Sequence, residues 1–429
     1  EARLNGRLFD LPAGALKLAA GYEGQDQDVA LGATRGPPGT VPVFRDFHRQ
    51  VDSVYAELLI PLFGASNAQP GLRRLDLDVA LRRDSYSDVG STTNPKVGIS
   101  WEPTQTLTVR GNWGTSFRAP LLSQIYGNSN NLFVQSRQDP LAGGASVQGV
   151  ALSGSNLSLE PEDASTWSVG VDWQALEDLR LGATYFSTDY KNQVNTFLSE
   201  LTILSQANDL AGTGVVLRGT AAANRICELV AQGITLSAGT FPGGSCSTVT
   251  SFFVDGRNFN LGRSVTRGFD VLGNYRIRTE SGTFTLNLNA TYLTRYRLAV
   301  APGAVLRDRL DLIFNPLRFK ARATLNWDLE PLWARLAVTR VGDYTNDVVA
   351  PVETVASYTP VDLSFGLRFG KAAEGPLGGV QLSLEIRNLF DQQPPYVNLA
   401  PNQNGSGGYD ATTTNPIGRQ FGVVLRKSW

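Results

Sequence analysis

The chain has 429 residues, 38 basic against 39 acidic, a net charge of −1 and a 42% share of hydrophobic residues. That balance offers no field to hold nucleic acid, and the apolar content is too high for global disorder. No run of about 18 apolar residues occurs, which excludes a helical membrane protein, and His48 is the one histidine, too few for a His-based metal site or catalytic triad.

Methionine is absent and the chain opens on Glu1, so a processed or truncated N-terminus is expected; no signal peptide is visible. Along the chain, apolar residues recur with period two rather than 3.6. The pattern predicts strands near 2–9, 14–24 and 50–62. In the next, 72–84, Leu75, Leu77, Val79 and Leu81 alternate with Asp76, Asp78, Ala80 and Arg82. Strands near 92–102 and 105–117 lead into a long link from Arg118 to Asp163. Strand 164–175 then sets Trp167, Val169, Val171 and Trp173 against Ser168, Gly170 and Asp172, and turns back as 178–190.

A second long link, Lys191 to Leu261, carries both cysteines, Cys227 and Cys246, in a Gly/Ser/Thr-rich stretch. Strands 262–278 and 281–296 follow. In the second, Phe284, Leu286, Leu288, Ala290 and Tyr292 alternate with Thr285, Asn287, Asn289 and Thr291. Strands near 316–328, 331–343, 357–369, 378–389 and 416–429 complete the chain. Val361, Leu363, Phe365, Leu367 and Phe369 repeat the alternation there.

These segments are longer than ordinary globular strands of about five or six residues, and match the roughly 9–11 that a tilted strand needs to cross a bilayer. Short turns such as Asp10–Ala13, Leu176–Glu177 and Thr279–Glu280 alternate with long links, as in outer-membrane barrels. Aromatics gather towards strand ends: Trp101, Trp113, Trp167, Trp173, Tyr185, Tyr190, Trp327, Trp333 and Trp429. Interfacial girdles would place them there. The expected fold is therefore all-β, an antiparallel transmembrane β-barrel over 1–429 with long extracellular loops near 118–163 and 191–261. A soluble β-sandwich shares the alternation, but would pack its apolar face on a second sheet.

Short motifs punctuate the strand ends. Phe117-Arg118-Ala119-Pro120 closes one strand, where Pro120 cannot supply a ladder donor. Asn156, Leu159, Pro161 and Glu162 lead into the next. Arg267-Gly268-Phe269-Asp270 lies inside a later strand. Asn388-Leu389-Phe390-Asp391 closes another with Asn and Asp turn chemistry, and Gly418-Arg419-Gln420-Phe421 opens the last, which ends on Trp429.

In this order and spacing the motifs resemble the barrel of TonB-dependent outer-membrane receptors, from about Ala56 to Trp429. Lys427 departs from the family, which usually carries an apolar residue there. The resemblance implies a bacterial outer-membrane location and a barrel of about twenty-two strands around a plug. About fifteen strands are legible here, so the plug, its coupling box and the other strands are expected to lie outside this sequence.

The resemblance further implies energised uptake of a scarce bulky solute, of the siderophore-iron or oligosaccharide class. The partners would be membrane lipid, the TonB complex acting through the plug, and the solute itself. The charged positions Asp76, Asp172, Asp270, Arg276, Lys320, Arg322, Glu385 and Arg387 would face the lumen, or simply a solvated surface. Tyr126, Phe133, Phe197, Phe252 and Phe253 in the long loops are the candidate ligand contacts, with loop packing as the alternative. An outer-membrane location is oxidising, so a Cys227–Cys246 disulfide is expected, worth roughly 3 kcal/mol for a loop of about 20 residues; two free buried thiols are the alternative. A passive porin shares the alternation but not the ordered motifs. No catalytic residue, cofactor or metal set is indicated: His48 stands alone, and no Gly-x-Ser-x-Gly occurs nearby.

Overall fold

The computed structural model describes residues 1–33, 43–127, 130–198, 203–237, 240–349, 351–369, 378–399 and 407–428; Trp429 lies outside them. The strands are β1 Ala2–Leu11, β2 Gly14–Ala33, β3 Val43–Phe63, β4 Arg74–Tyr86, β5 Gly90–Glu102, β6 Leu107–Arg118, β7 Asn131–Asp139 and β8 Ala145–Ser153. They continue as β9 Glu162–Leu176, β10 Leu179–Thr196, β11 Val216–Arg218, β12 Thr250–Asp255, β13 Asn258–Thr279, β14 Gly282–Ala299 and β15 Arg307–Asp308. The last are β16 Phe319–Leu329, β17 Leu332–Val341, β18 Tyr344–Asn346, β19 Glu353–Val355, β20 Val361–Arg368, β21 Val380–Arg387 and β22 Gln420–Lys427.

One sheet dominates. Its path is β1-β2-β3-β4-β5-β6-β9-β10-β13-β14-β16-β17-β20-β21-β22, in chain order, with β15 paired to β14. Each of the strands expected from the alternation is on this path. Among the described residues β1 pairs only with β2 and β22 only with β21, so the sheet has two free edges. At the long-link end several observed strands, among them β2, β3, β10, β13 and β14, overrun the expected ones, whereas β16, β17, β20, β21 and β22 stop short of them. The β2–β3 ladder continues to Ala33↔Val43 although β4 stops opposite Val51, because its polar residues keep alternating without an apolar signal. Lys427 closes the β22 ladder opposite Val380, and its ammonium donates to the Gly378 carbonyl.

The apolar residues of this sheet do not form its core. Val169, Val171 and Trp173 on β9, Val271 on β13, Leu286 and Leu288 on β14, and Phe421, Val423 and Leu425 on β22 are exposed, Val169 to 50% and Leu425 to 71%. The three buried clusters lie elsewhere, in the links at the long-link end, around Phe252, Tyr344 and Phe253. A sandwich would hide those valines and leucines against a second layer; here nothing among the described residues covers them.

Register arranges the exposed face in rungs. Ala183, Val271 and Ala290 stand opposite one another, then Tyr185, Phe269 and Tyr292. The Tyr185 ring lies 4.9 Å from Phe269 and 5.3 Å from Trp167. At the short-turn end Trp101 and Trp327 take the same face, their indole N–H groups donating to the Gly71 carbonyl at 2.8 Å and the Ser281 carbonyl at 2.7 Å. Two expected girdle members are placed otherwise. Tyr190 and Trp333 fall on the opposite face by parity, Tyr190 bonded to Glu162 and Trp333 under the Arg368 guanidinium at 5.6 Å. Nearness to a strand end suggested the girdle for both, and the period of two overrules it.

The polar face is cross-linked between strands. Arg110 reaches Asp172 at 3.1 Å and Thr184 at 2.9 Å, Thr291 donates to Asp270 at 2.6 Å, and Arg322 reaches Asp362 at 3.4 Å. An apolar face without a protein partner suits hydrocarbon. Leu288→Arg is therefore expected to destabilise the sheet by about 2–4 kcal/mol, whereas Asn289→Arg, at an exposed position on the other face, should change little. Denaturant unfolding in lipid vesicles measures both.

Candidate functional site at the long-link end

The strand-end motifs converge where the sheet meets its long links. β6 stops at Arg118, and the chain leaves the sheet through Ala119 and Pro120. The Pro120 carbonyl accepts from Arg49 Nη2 at 2.8 Å, and Arg49 also grips the Asp88 carboxylate at 2.8 and 3.0 Å. The Tyr86 ring lies 5.5 Å from this guanidinium and meets Phe117 edge-on at 5.7 Å. A short helix, Leu122–Tyr126, follows, and Tyr126 stacks on Phe47 with centroids 5.0 Å apart.

Glu162, at the start of β9, is the second anchor. Pro161 precedes it and ends the approach to the ladder. Its buried carboxylate takes Arg118 Nε, the Tyr190 hydroxyl at 2.5 Å and the Val194 amide at 2.5 Å. Asn156 ties the same approach to β13, donating to the Asn258 carbonyl at 2.9 Å, and Leu159 is buried. The motif carboxylate and guanidinium thus satisfy each other. Arg49 and Asp88 are mutually buried and Arg118, half exposed, is paired with Glu162, so at these motifs the half-buried rings of Phe47 and Tyr126 stand beside charges that are already paired.

The Asn388–Asp391 turn uses left-handed backbone at both ends, φ 52° at Asn388 and 55° at Asp391. Short polar side chains tolerate that conformation and repay it with local bonds. Asn388 exchanges 2.9 Å bonds with the Gln392 backbone, and its own amide donates to Asp362 at 3.0 Å. Asp391 accepts from the Arg419 amide at 2.7 Å, fastening the turn to the start of β22. Leu389 donates its amide to the Val361 carbonyl at 2.6 Å. Phe390 is left 73% exposed.

The two long links fold together into a module that the strand pattern did not reveal. Its sheet runs β11-β12-β8-β7, with β8 and β12 parallel. A helix, Gly219–Ala231, buries Ala222, Ala223, Ile226 and Leu229, whose spacing was the one available signal, a helical period inside a loop. Cys227 and Cys246 form a disulfide, Cα atoms 5.1 Å apart, pinning this helix to the following loop. Phe252 and Phe253 are fully buried in the module and Phe197 nearly so. Of the two readings open for them, ligand contact and loop packing, their place in this core accords with packing. Phe133 packs on the same core, partly buried.

Asp139 locks the module. It caps the turn Pro140–Ala142 by accepting from the Leu141 amide at 3.0 Å, and receives both Arg218 nitrogens at 2.6 and 2.9 Å. The Arg218 guanidinium holds this carboxyl below its ordinary range against the opposing effect of burial. In the neighbouring cluster around β18 and β19, burial pushes the Tyr344 hydroxyl up to about 12.

No group of three or more metal-binding side chains occurs among the described residues. The family described as TonB dependent receptor-like, beta-barrel matches residues 2–389. The ferric enterobactin receptor of Pseudomonas aeruginosa is 26% identical over 389 residues, 89% of this chain and 42% of the relative. The hemin receptor of Yersinia pestis is 25% identical over 118 residues, 26% of this chain and 17% of that receptor. A mutant of the Pseudomonas aeruginosa ferric enterobactin receptor, solved in complex with enterobactin, is similar with a TM-score of 0.65 and 19% identity, covering 99% of this chain and 53% of that one. The siderophore receptor PirA from Acinetobacter baumannii gives 0.62 and 17%, covering 100% and 54%. At these identities the structural likeness concerns the fold alone. The chain spans about half the length of these solved structures, and less of the curated relatives.

Two outcomes are expected. Glu162→Ala leaves the Tyr190 hydroxyl and Val194 amide without their acceptor and should cost about 1–3 kcal/mol, read as a lowered denaturation midpoint. Because the Asp139 pKa is depressed on folding, its contribution is fully present above the ordinary carboxylate pKa of about 4 and is lost as pH falls through the lower folded value. The protection factors of amides in 131–153, each rate referred to the intrinsic exchange rate at the same pH, should therefore fall on acidification in the native protein, and the fall should shrink in Asp139→Asn.

Proposed function

Because the chain belongs to the TonB-dependent receptor β-barrel family, we propose that it forms part of the wall of an energised uptake receptor in a bacterial outer membrane. The observation that carries this reading is the sheet's two-sidedness. One face is apolar, unpartnered and bounded by aromatic rungs, as lipid contact requires. The other is charged and cross-linked, as a hydrated passage requires. The long-link end, with its disulfide-pinned module, faces the cell exterior in this reading, and the short turns face the periplasm.

The solute is a bulky iron chelate of the siderophore class. That choice over an oligosaccharide rests on the relatives, which are named for ferric enterobactin, hemin and siderophores. Capture takes place at the rim, where Tyr126 stacked on Phe47 offers a rigid aromatic surface while the neighbouring charges are already neutralised. The barrel contributes binding and rigidity. The TonB complex, acting through a plug inside the wall, supplies the energy that moves the solute.

Uptake of radioactive iron by cells producing the full-length gene product tests the proposal. Iron loaded on a panel of siderophores should enter TonB-competent cells and not TonB-deficient ones. Tyr126→Ala should weaken saturation by about two- to tenfold, the worth of one aromatic contact. Equal entry without TonB would make the protein a passive pore, and growth on oligosaccharides with no iron-chelate uptake would overturn the ligand class.

A further inference from the structure

The link between β14 and β16 is buried in two different places. In its first half Ala301 is buried in the module core with Leu210, Val215 and Phe252, and Val300 and Ala304 pack against that core. In its second half Ile313 and Leu317 belong to the cluster around β18 and β19, with Tyr344 and Val355. The two cores share no residue.

The middle of the link is fastened towards both. β15 lies on the free side of β14, Arg307 opposite Leu298 and Asp308 opposite Arg297. β16 does not reach this level, its ladder with β14 ending at Phe319 opposite Tyr292. Arg307 grips Asp209 of the module, with Nε at 3.0 Å and Nη2 at 2.9 and 3.1 Å. Arg309 reaches Asp347, just after β18, at 3.4 Å. Backbone bonds then knit the second half to β18. Ile313 donates to the Thr345 carbonyl at 2.9 Å, and the Thr345 amide donates to the Asp311 carbonyl at 2.8 Å.

The two ion pairs are partly exposed and contribute little by themselves. The buried side chains carry the join. With Ala301 in one core and Ile313 in the other, the run between them has no slack to release, because β15 and its two arginines hold it in place. Proteins open locally in contiguous cooperative units, and a chain segment rooted in two cores makes them one such unit. We infer that this link couples the module to the β18–β19 cluster, so that the two open and close together. Both clusters stand at the long-link end, so a solute that ordered one would order the other. The coupling itself rests on neither membrane nor solute.

Native-state hydrogen exchange of the full-length protein in detergent tests this, with protection factors read at one pH. Ile203→Ala removes a fully buried side chain of the module core, outside the link. It should lower the protection of module amides in 147–153. It should also lower that of the β18 and β19 amides about fivefold, the low end of coupling between sites. Inserting Gly-Ser-Gly-Ser between Asp308 and Arg309 lengthens the link by about 13 Å, at little cost in itself. In that background Ile203→Ala should still loosen the module but no longer reach β18 and β19. Coupling is reciprocal, so Val355→Ala in the second core should lower module protection by the same factor. That variant serves should Ile203→Ala fail to fold. Unchanged β18 and β19 protection in Ile203→Ala would overturn the inference, as would a fall that survives the insertion undiminished.

Discussion

A backbone crossing hydrocarbon has no water to bond to, so its amides and carbonyls must be satisfied within the sheet. That requirement explains why the main sheet is one unbroken meander in chain order, in which each strand bonds to the next available strand and none crosses over. It also fixes the side chains. Once a strand is paired on both sides its register cannot slip by one residue without moving every leucine and valine into the hydrated face. The strict alternation of Val169, Val171 and Trp173 with Gly170 and Asp172 is the sequence form of that constraint.

This is why the sheet was legible from the sequence and the long links were not. A period of two depends only on neighbours along the chain, and it located all the strands of the meander. It failed where the apolar half of the pattern fades, as in the β2–β3 projection. The module depends on contacts between links that are far apart: Arg218 on Asp139 spans 79 residues, and β12 joins β8 across the intervening β9, β10 and β11. The helix Gly219–Ala231 does carry a helical spacing, at Ala222, Ala223, Ile226 and Leu229, but it is a single short run set between long stretches of period two. Phe252 and Phe253 illustrate the cost. Aromatic residues in an unstructured loop suggest a binding surface, whereas in a folded module they are its core.

The motifs of the candidate site were legible as residues and opaque as a mechanism. Pro120 and Pro161 can be read as ladder terminators, and Asn388 and Asp391 as turn residues, from covalent geometry alone. Nothing local indicates that Arg118 would meet Glu162, or that the Pro120 carbonyl would need Arg49 from a strand 71 residues earlier. Once those pairings are known, the motifs have a common role. Each fastens a link to the rim where the ladder ends and backbone groups would otherwise go unpaired.

The charge distribution separates the two faces more sharply than composition can. With 38 basic and 39 acidic residues, the chain carries a net charge of only −1. On the polar face the opposite charges meet across strands, as Arg110 does with Asp172 and Arg322 with Asp362. Such pairs in water are worth little individually, yet they leave a hydrated wall with no strong field of either sign.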